Sequence, residues 1–113
     1  MVIIEDIDDT RKIMVGQNQK ENETLCAEAR KIFQSGTSVL WFHLADTSSP
    51  HGFIFGDNPS KENIYRAATL VKKYSKEKKT CNVKVNYLSI EHVQKTDTPG
   101  MVILSKKPSE IKV

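Results

Sequence analysis

The chain has 113 residues, of which 38% are hydrophobic and 27% charged, and its net charge is +3. This length fits one domain that can bury its own core. Its uncharged apolar runs reach five or six residues, far below the ~20 that a membrane-spanning helix needs. A secretory signal has a basic region before its apolar residues, and the N-terminus of this chain has none. We predict a single cytoplasmic domain over residues 1–113, without a membrane segment.

The first half of the chain predicts a β-hairpin, a helix and two more strands. The helix is indicated by apolar residues at helical spacing from Asn18 to Phe33, and Ser35-Gly36 is a suitable C-terminal end. Short apolar or β-branched and aromatic runs predict the strands. These strands are Val2–Ile4, Lys12–Val15, Val39–Leu44 and His51–Phe55.

The second half begins with a helix whose N-cap is Ser60. Its apolar face carries Ala67 and Ala68, which allow close packing on a sheet. Val83–Tyr87 alternates between apolar and polar residues, as a half-buried strand does. Two short strands follow, Met101–Leu104 and Ile111–Val113, with Pro99-Gly100 as the turn before them. The sequence therefore predicts an α+β domain, with about six strands in a mixed or antiparallel sheet packed with two helices.

Positive charge is concentrated in the second half of the chain. Residues 1–56 carry five Lys or Arg and eight Asp or Glu, whereas residues 57–113 carry twelve and six. Five lysines fall within eight residues at the end of the second helix, namely Lys72, Lys73, Lys76, Lys78 and Lys79. One basic face attracts polyanions whatever the net charge. The alternatives are a solvated lysine surface and a favourable interaction with the helix dipole.

The single tryptophan, Trp41, and two of the three histidines, His43 and His51, lie within eleven residues. Such a group could form a structural hydrogen-bond network, a metal pair, or a surface on which a base stacks. A metal would need further ligands from His92, Cys26 or Cys81, but these lack the local spacing of known metal motifs. No Gly-x-Ser-x-Gly context supports hydrolytic catalysis. We predict no metal and no cofactor. We predict two reduced, largely buried cysteines, with a disulfide between Cys26 and Cys81 as the alternative.

Gly16-Gln17-Asn18 stands at a strand-to-helix junction, with Asn22 one turn into the helix. A glycine there would leave the first helical N–H groups open to an anion. A plain helix cap explains the same residues. The pattern is not a phosphate-binding Walker loop, because no Gly-Lys-Ser/Thr follows.

In this order, the motifs resemble the NFACT-R domain family over nearly the whole chain, from about residue 11 to 113. The residues that carry the resemblance are Gly16-Gln17-Asn18 with Asn22-Glu23-x-Leu25, Trp41-Phe42-His43, Ser48-Ser49-Pro50-His51, Ala67-Ala68-x-Leu70-x-x-x-Tyr74-Ser75-Lys76, Val83-x-Val85-x-Tyr87, Val93-x-Lys95 and Pro99-Gly100-x-Val102. Each motif is weak alone, and their combination is specific.

NFACT-R is the RNA-binding domain of the NFACT proteins, which are ribosome-associated quality-control factors. Those proteins hold a tRNA on the large ribosomal subunit and support addition of an untemplated tail to the stalled chain. The domain also occurs alone in small eukaryotic paralogues, and this chain resembles that form. The resemblance implies an α+β fold and a non-catalytic domain that binds tRNA or ribosomal RNA, with the ribosome as a possible partner.

The residues that we expect at an RNA interface form three groups. Lysines 72, 73, 76 and 95 would contact phosphates, three residues would shape the strand–helix junction, and three rings would line a base-stacking surface. These residues are Lys72, Lys73, Lys76, Lys95, Gly16, Asn18, Asn22, Trp41, His43 and His51.

The chain departs from the family pattern at two of its positions. Gln17 and Val39 stand where the family usually has a basic and an acidic residue. The large N-terminal NFACT domain, the helix–hairpin–helix and the coiled coil are absent from these 113 residues, so their roles are not carried over. The alternatives left open are a protein-interaction module that uses the basic helix, and DNA binding through backbone contacts.

Overall fold

An antiparallel sheet of six strands carries one helix on each face. This computed structural model describes residues 1–98 and 101–113. The sheet has the order β1-β2-β4-β3-β5-β8, and β6 and β7 form a separate hairpin. The strands are β1 (Ile3–Asp6), β2 (Lys12–Gly16), β3 (Val39–Leu44), β4 (His51–Phe55), β5 (Lys84–Ser89), β6 (Val93–Lys95), β7 (Val102–Leu104) and β8 (Ser109–Lys112). The helices are α1 (Gln19–Gln34) and α2 (Lys61–Lys73), and a 3₁₀ turn spans Ile90–His92.

The predicted α+β fold, with a six-stranded sheet and two helices, is confirmed. Sequence patterns did not predict β6 or the 3₁₀ turn, because three residues are too few to show a period. The turn predicted at Pro99-Gly100 lies outside the described residues. No helix in the described part of the chain is long and apolar enough to cross a membrane.

Both helices begin at polar caps that the sequence indicated. The Asn18 side chain accepts a hydrogen bond from the Glu21 N–H at 2.9 Å. Ser60 accepts from the Asn63 N–H at 3.1 Å, and the Asn63 side chain accepts from the Ser60 N–H at 2.9 Å, which completes a capping box. At the end of α1, Gly36 adopts a φ of 104°, a left-handed conformation that favours glycine.

The two sheet faces bury separate apolar clusters. The α2 face includes Phe42, Leu44, Val71 and Val85, and Gly52 of β4 lies beneath α2. A Cβ at Gly52 would overlap Cγ2 of Val71, so this glycine permits the close approach of the helix to the sheet. The α1 face is built from Leu25, Ala29, Val39, Trp41, Phe53, Phe55, Leu88, Ile90 and Val93.

The two cysteines differ in their surroundings. Both are free, but Cys26 is buried on the face of α1 that packs against the sheet, whereas Cys81 is exposed in the loop before β5. The prediction of buried thiols is therefore right for Cys26 and wrong for Cys81. The loop that holds Cys81 includes Asn82, whose φ of 55° marks a tight turn on the surface.

Candidate nucleic-acid interface

An open cleft of about 740 Å³ lies on the α1 face of the sheet, between the start of α1 and the β6–β7 hairpin. Its borders are the loop that joins β3 to β4, the end of α2 and strand β5. The cleft brings together six of the residues singled out from the sequence. These are Asn18, Asn22, Trp41, His43, His51 and Lys76.

A row of mostly polar residues crosses the sheet beneath this cleft. Gly16 pairs with His51, His43 pairs with Asn86, and Asn86 pairs with Glu110. The rings of His43 and His51 are 5.1 Å apart, which joins the two halves of the row. The row next to it contains Phe53, Trp41 and Leu88 and belongs to the apolar core. The cleft therefore opens where the sheet face changes from apolar to polar.

His51 is a buried and neutral part of the cleft floor, with 3% of its surface exposed. The indole N–H of Trp41 donates to His51 Nδ1 at 3.2 Å, so the proton of the neutral ring lies on Nε2. The Sγ of Cys26 lies 3.9 Å from the same Nδ1. Burial, aided by the charge of His43, lowers the pKa of His51 to about 4. Burial also raises the pKa of the Cys26 thiol to about 11, so both groups are uncharged at neutral pH.

His43 is half-buried and stacks on Trp41, with ring centroids 5.6 Å apart and an angle of 8° between the planes. Its Nδ1 lies 2.6 Å from the Leu44 carbonyl oxygen, and since a carbonyl only accepts, His43 donates there. Burial lowers the pKa of His43. In the neutral ring Nε2 is then an acceptor. The ring of His51 also meets this ring edge-on, with the centroids 5.1 Å apart and the planes at 88°.

Trp41 itself is core, with 2% of its surface exposed. One face of its ring is covered by His43, and its indole N–H is already bound to His51. The ring that an incoming base would meet first is therefore His43, supported from below by Trp41.

At the junction of β2 and α1, the site where an external anion could bind is occupied by the carboxylate of Glu21. The carboxylate of Glu21 accepts from the Gln17 N–H and from the Asn18 side-chain amide, each at 3.0 Å. The amino group of Met1 forms an ion pair with Glu21 at 2.6 Å. These hydrogen bonds and the charge of the amino group lower the pKa of Glu21. The junction is thus a helix cap with an internal carboxylate.

Gly16 and Asn22 join this cap to the cleft floor. Asn22 is buried, and its side-chain oxygen accepts from the His51 backbone N–H at 3.2 Å. A Cβ at Gly16 would overlap that same oxygen. Glycine is therefore required at the end of β2 because α1 approaches it closely.

The four lysines singled out from the sequence lie in different places. Lys76 lines the cleft, and Lys95 lines an adjoining cavity of about 70 Å³ between α1 and the β6–β7 hairpin. The ammonium group of Lys72 donates to the Val113 carbonyl at 3.0 Å. Lys73 is exposed, with its ammonium group 5.6 Å from the centre of the Tyr74 ring, and it acts electrostatically on Glu5 of β1.

Two parts of the cleft were not predicted from the sequence. Asn86 contributes to the floor, and Met101, with Val102 and Leu104 of β7, forms one wall. The alternation of apolar and polar residues in Val83–Tyr87 indicated that Asn86 lies on the sheet face opposite to the apolar residues of that strand. Nothing local indicated that a hairpin would fold over α1. It is held there in part by Arg30, which donates to the Val93 carbonyl at 3.1 Å.

The serines of the Ser48-Ser49-Pro50-His51 motif line the cleft in the loop between β3 and β4. The Ser49 hydroxyl accepts from the Leu44 N–H at 3.0 Å and donates to the Pro50 carbonyl at 2.8 Å. This side chain therefore holds the loop in shape. Among the described residues, no group of three or more His, Cys, Asp or Glu side chains is placed to hold a metal ion.

The chain matches known proteins along most of its length. A family model described as "NFACT protein RNA binding domain" matches residues 2–105. The chain is 33% identical over 92 residues to the Rqc2 homolog RqcH of Bacillus subtilis (strain 168), a match that covers 80% of this chain and 15% of that protein.

A solved structure has the same fold. It is described as the C-terminal of the fibronectin/fibrinogen-binding protein from Streptococcus suis. The match has a TM-score of 0.79 and 26% identity, and covers 97% of this chain and 44% of that one. The chain therefore spans less than half the length of either relative.

Proposed function

The chain belongs to the family of NFACT protein RNA binding domains, and we propose that it binds unpaired RNA through the polar cleft, without catalysing a reaction on it. The observation that carries this proposal is the neutral floor of the cleft. His43 and His51 share that floor with Asn86, and the pKa values of both imidazoles are lowered by burial. An uncharged polar floor suits a base or a ribose, whereas a phosphate prefers a cation.

In this proposal a base stacks on the exposed part of the His43 ring, which lines the cleft. Such stacking on an aromatic ring is worth ~1–3 kcal/mol for each base and does not depend strongly on sequence. Trp41 fixes the position of His43 by stacking and fixes the tautomer of His51 by donating to Nδ1. The Nε2 of His51 is then a donor and the Nε2 of His43 an acceptor, so the pair offers both kinds of hydrogen bond to one ligand.

Lys76 supplies the phosphate contact at the rim of the cleft, because it is exposed and lines the cleft wall. Lys95 supplies a second contact beside the adjoining cavity. Lys72 and Lys73 lie outside the cleft and contribute long-range attraction for a polyanion. Gly16, Asn18 and Asn22 hold the wall formed by α1 in place.

The setting that we propose is ribosome-associated quality control, with tRNA or ribosomal RNA as the ligand, in the cytoplasm. The similarity to the Rqc2 homolog RqcH supports this setting. A rival function is recognition of a protein partner. This rival function is supported by the solved structure of similar fold, which comes from a protein named for binding fibronectin and fibrinogen.

The experiment is a fluorescence-anisotropy titration of labelled single-stranded RNA at several salt concentrations, with wild type, Lys76→Gln and Lys73→Gln. The log of the affinity falls with log salt by about 0.7 for each phosphate contact on a single strand. We expect Lys76→Gln to make this slope shallower by about 0.7 and Lys73→Gln to leave it near the wild-type value. Both variants remove one exposed lysine, so they are matched in charge.

Equal slopes for the two variants would remove Lys76 from the interface. Absence of RNA binding by the wild type at low salt, together with capture of a protein partner, would favour the rival function. A DNA strand of the same sequence serves as competitor. If it competes as well as RNA, the cleft does not recognise the 2′-hydroxyl.

A further inference from the structure

Two lysines face each other across neighbouring strands beside the cleft. Lys84 of β5 pairs with Lys112 of β8 in the antiparallel ladder. The flanking residues Val83 and Val113 exchange both backbone hydrogen bonds, each at 2.9 Å. The lysines therefore occupy a non-hydrogen-bonded position, where opposing side chains come closest. Like charges placed directly opposite each other destabilise a sheet.

The two lysines lie on the same face of the sheet as the cleft floor. Lys84 is two residues before Asn86 on β5, and Lys112 is two residues after Glu110 on β8, so all four side chains share one face. Both lysines are exposed. None of the ion pairs found among the described residues involves either lysine, so within that part of the chain no carboxylate within 4.0 Å offsets their repulsion.

We propose that Lys84 and Lys112 form an anion-binding site that takes the phosphodiester backbone of the RNA strand as it leaves the cleft. The inference rests on the proposed function and extends it to the sheet face beyond His43. Ala45, two residues after His43, donates its N–H to the Lys84 carbonyl at 3.0 Å, so the chain beside His43 runs next to Lys84. A base stacked on His43 would thus have its phosphate next to the lysine pair.

The position of the lysine pair in the sheet is better explained by a role in RNA binding than by a role in the fold. Lysine on an edge strand prevents sheets from pairing edge to edge, which is sufficient reason for Lys112 on β8. It does not account for Lys84, because β5 is an interior strand between β3 and β8. A phosphate between the two ammonium groups would convert their repulsion into two favourable contacts.

The test compares the double variant Lys84→Gln/Lys112→Gln with the wild type in titrations of a labelled single-stranded octanucleotide RNA. We expect the salt slope to become shallower by about 1.4, or about 0.7 for each lost contact, and the affinity to fall about tenfold at low salt. The matched control is Lys31→Gln/Lys61→Gln, in the last turn of α1 and the first turn of α2. These lysines lie at the opposite end of the sheet, so we expect less than about a twofold change at moderate salt.

A second variant, Lys84→Arg/Lys112→Arg, keeps the charge and should retain the wild-type slope. Thermal unfolding of the glutamine variant should show a midpoint no lower than that of the wild type, because a repulsive pair has been removed. If the wild type binds RNA and the glutamine variant keeps its full slope, the lysine pair is not a phosphate site, while the cleft proposal stands. If the wild type binds no RNA, both proposals are overturned together.

Discussion

Acidification from pH 7 to pH 5 should destabilise the fold by about 2 kcal/mol through His51 alone. Burial lowers the pKa of His51 from 6.5 to about 4. Between these values the unfolded chain takes up a proton that the folded protein does not, so stability falls as the pH falls. The contribution is fully present above pH 6.5 and is lost progressively toward pH 4. At pH 5 the unfolded histidine is mostly protonated, and ~1.4 kcal/mol for each pH unit below 6.5 gives the stated loss.

Urea unfolding followed by the fluorescence of Trp41, the single tryptophan, measures this loss. With a slope of ~1–3 kcal/mol per molar urea, the midpoint should fall by about 1 M. His51→Asn keeps an acceptor near the place of Nδ1 but does not titrate, so the drop should become smaller by the share due to His51. The share of His43, whose pKa is also lowered by burial, should remain. His92→Asn, in the 3₁₀ turn, is the matched control for loss of one imidazole and should keep the drop that His51 causes.

The window from pH 7 to pH 5 separates His51 from the carboxylates. Hydrogen bonds and nearby cations lower the pKa values of Glu5, Asp8, Glu21 and Asp57. The stability that these carboxylates contribute is lost only as the pH falls below about 5. An unchanged midpoint between pH 7 and pH 5, or an equal drop in His51→Asn, would refute a buried neutral histidine.

Three further substitutions test the packing around the cleft. Trp41→Phe removes the donor to His51 Nδ1 and should cost ~1–3 kcal/mol, measured by urea unfolding followed by circular dichroism. Gly52→Ala should cost ~1–3 kcal/mol because its Cβ overlaps Val71; with Val71→Ala added, the double variant should be more stable than the sum of the single losses predicts. Gly16→Ala should push α1 from β2 and lower both stability, by ~1–3 kcal/mol, and RNA affinity. Wild-type stability in any of these variants would contradict the corresponding contact.

Much of the fold could be predicted from the sequence because its signals are local. The β-branched and aromatic runs gave β3 and β4, and the caps at Asn18 and Ser60 gave the starts of both helices. An element that packs on the core repeats its apolar residues at a regular spacing, and this spacing can be recognised when the element has several residues. The β6–β7 hairpin was only half predicted, as a strand at Met101–Leu104, because β6 has three residues. Its position depends on long-range hydrogen bonds, from Arg30 of α1 to the Val93 carbonyl and from the Ser105 N–H to the His92 carbonyl.

The candidate interface could be predicted only in part. The aromatic and imidazole residues are close in sequence, so their proximity followed from pairing β3 with β4. Whether Trp41 faced a ligand or the core depended on where His43 and α1 lie, which no local pattern determines. The lysines were grouped by their spacing on one predicted helix, but α2 ends at Lys73, before Lys76. The different directions of Lys72 and Lys76 depend on contacts with Val113 and the cleft. Lys84 and Lys112 are 28 residues apart and meet only through strand pairing.

The most direct test of RNA binding in the cleft is an NMR titration of ¹⁵N-labelled protein with a single-stranded RNA oligonucleotide. The account predicts the largest shift changes at the indole N–H of Trp41 and at the backbone amides of Asn22, His43 and Asn86. Changes should be small at the start of α2, around Lys61, which lies at the far end of the sheet. Shift changes concentrated there, with the Trp41 indole signal unmoved at saturation, would contradict binding in the cleft.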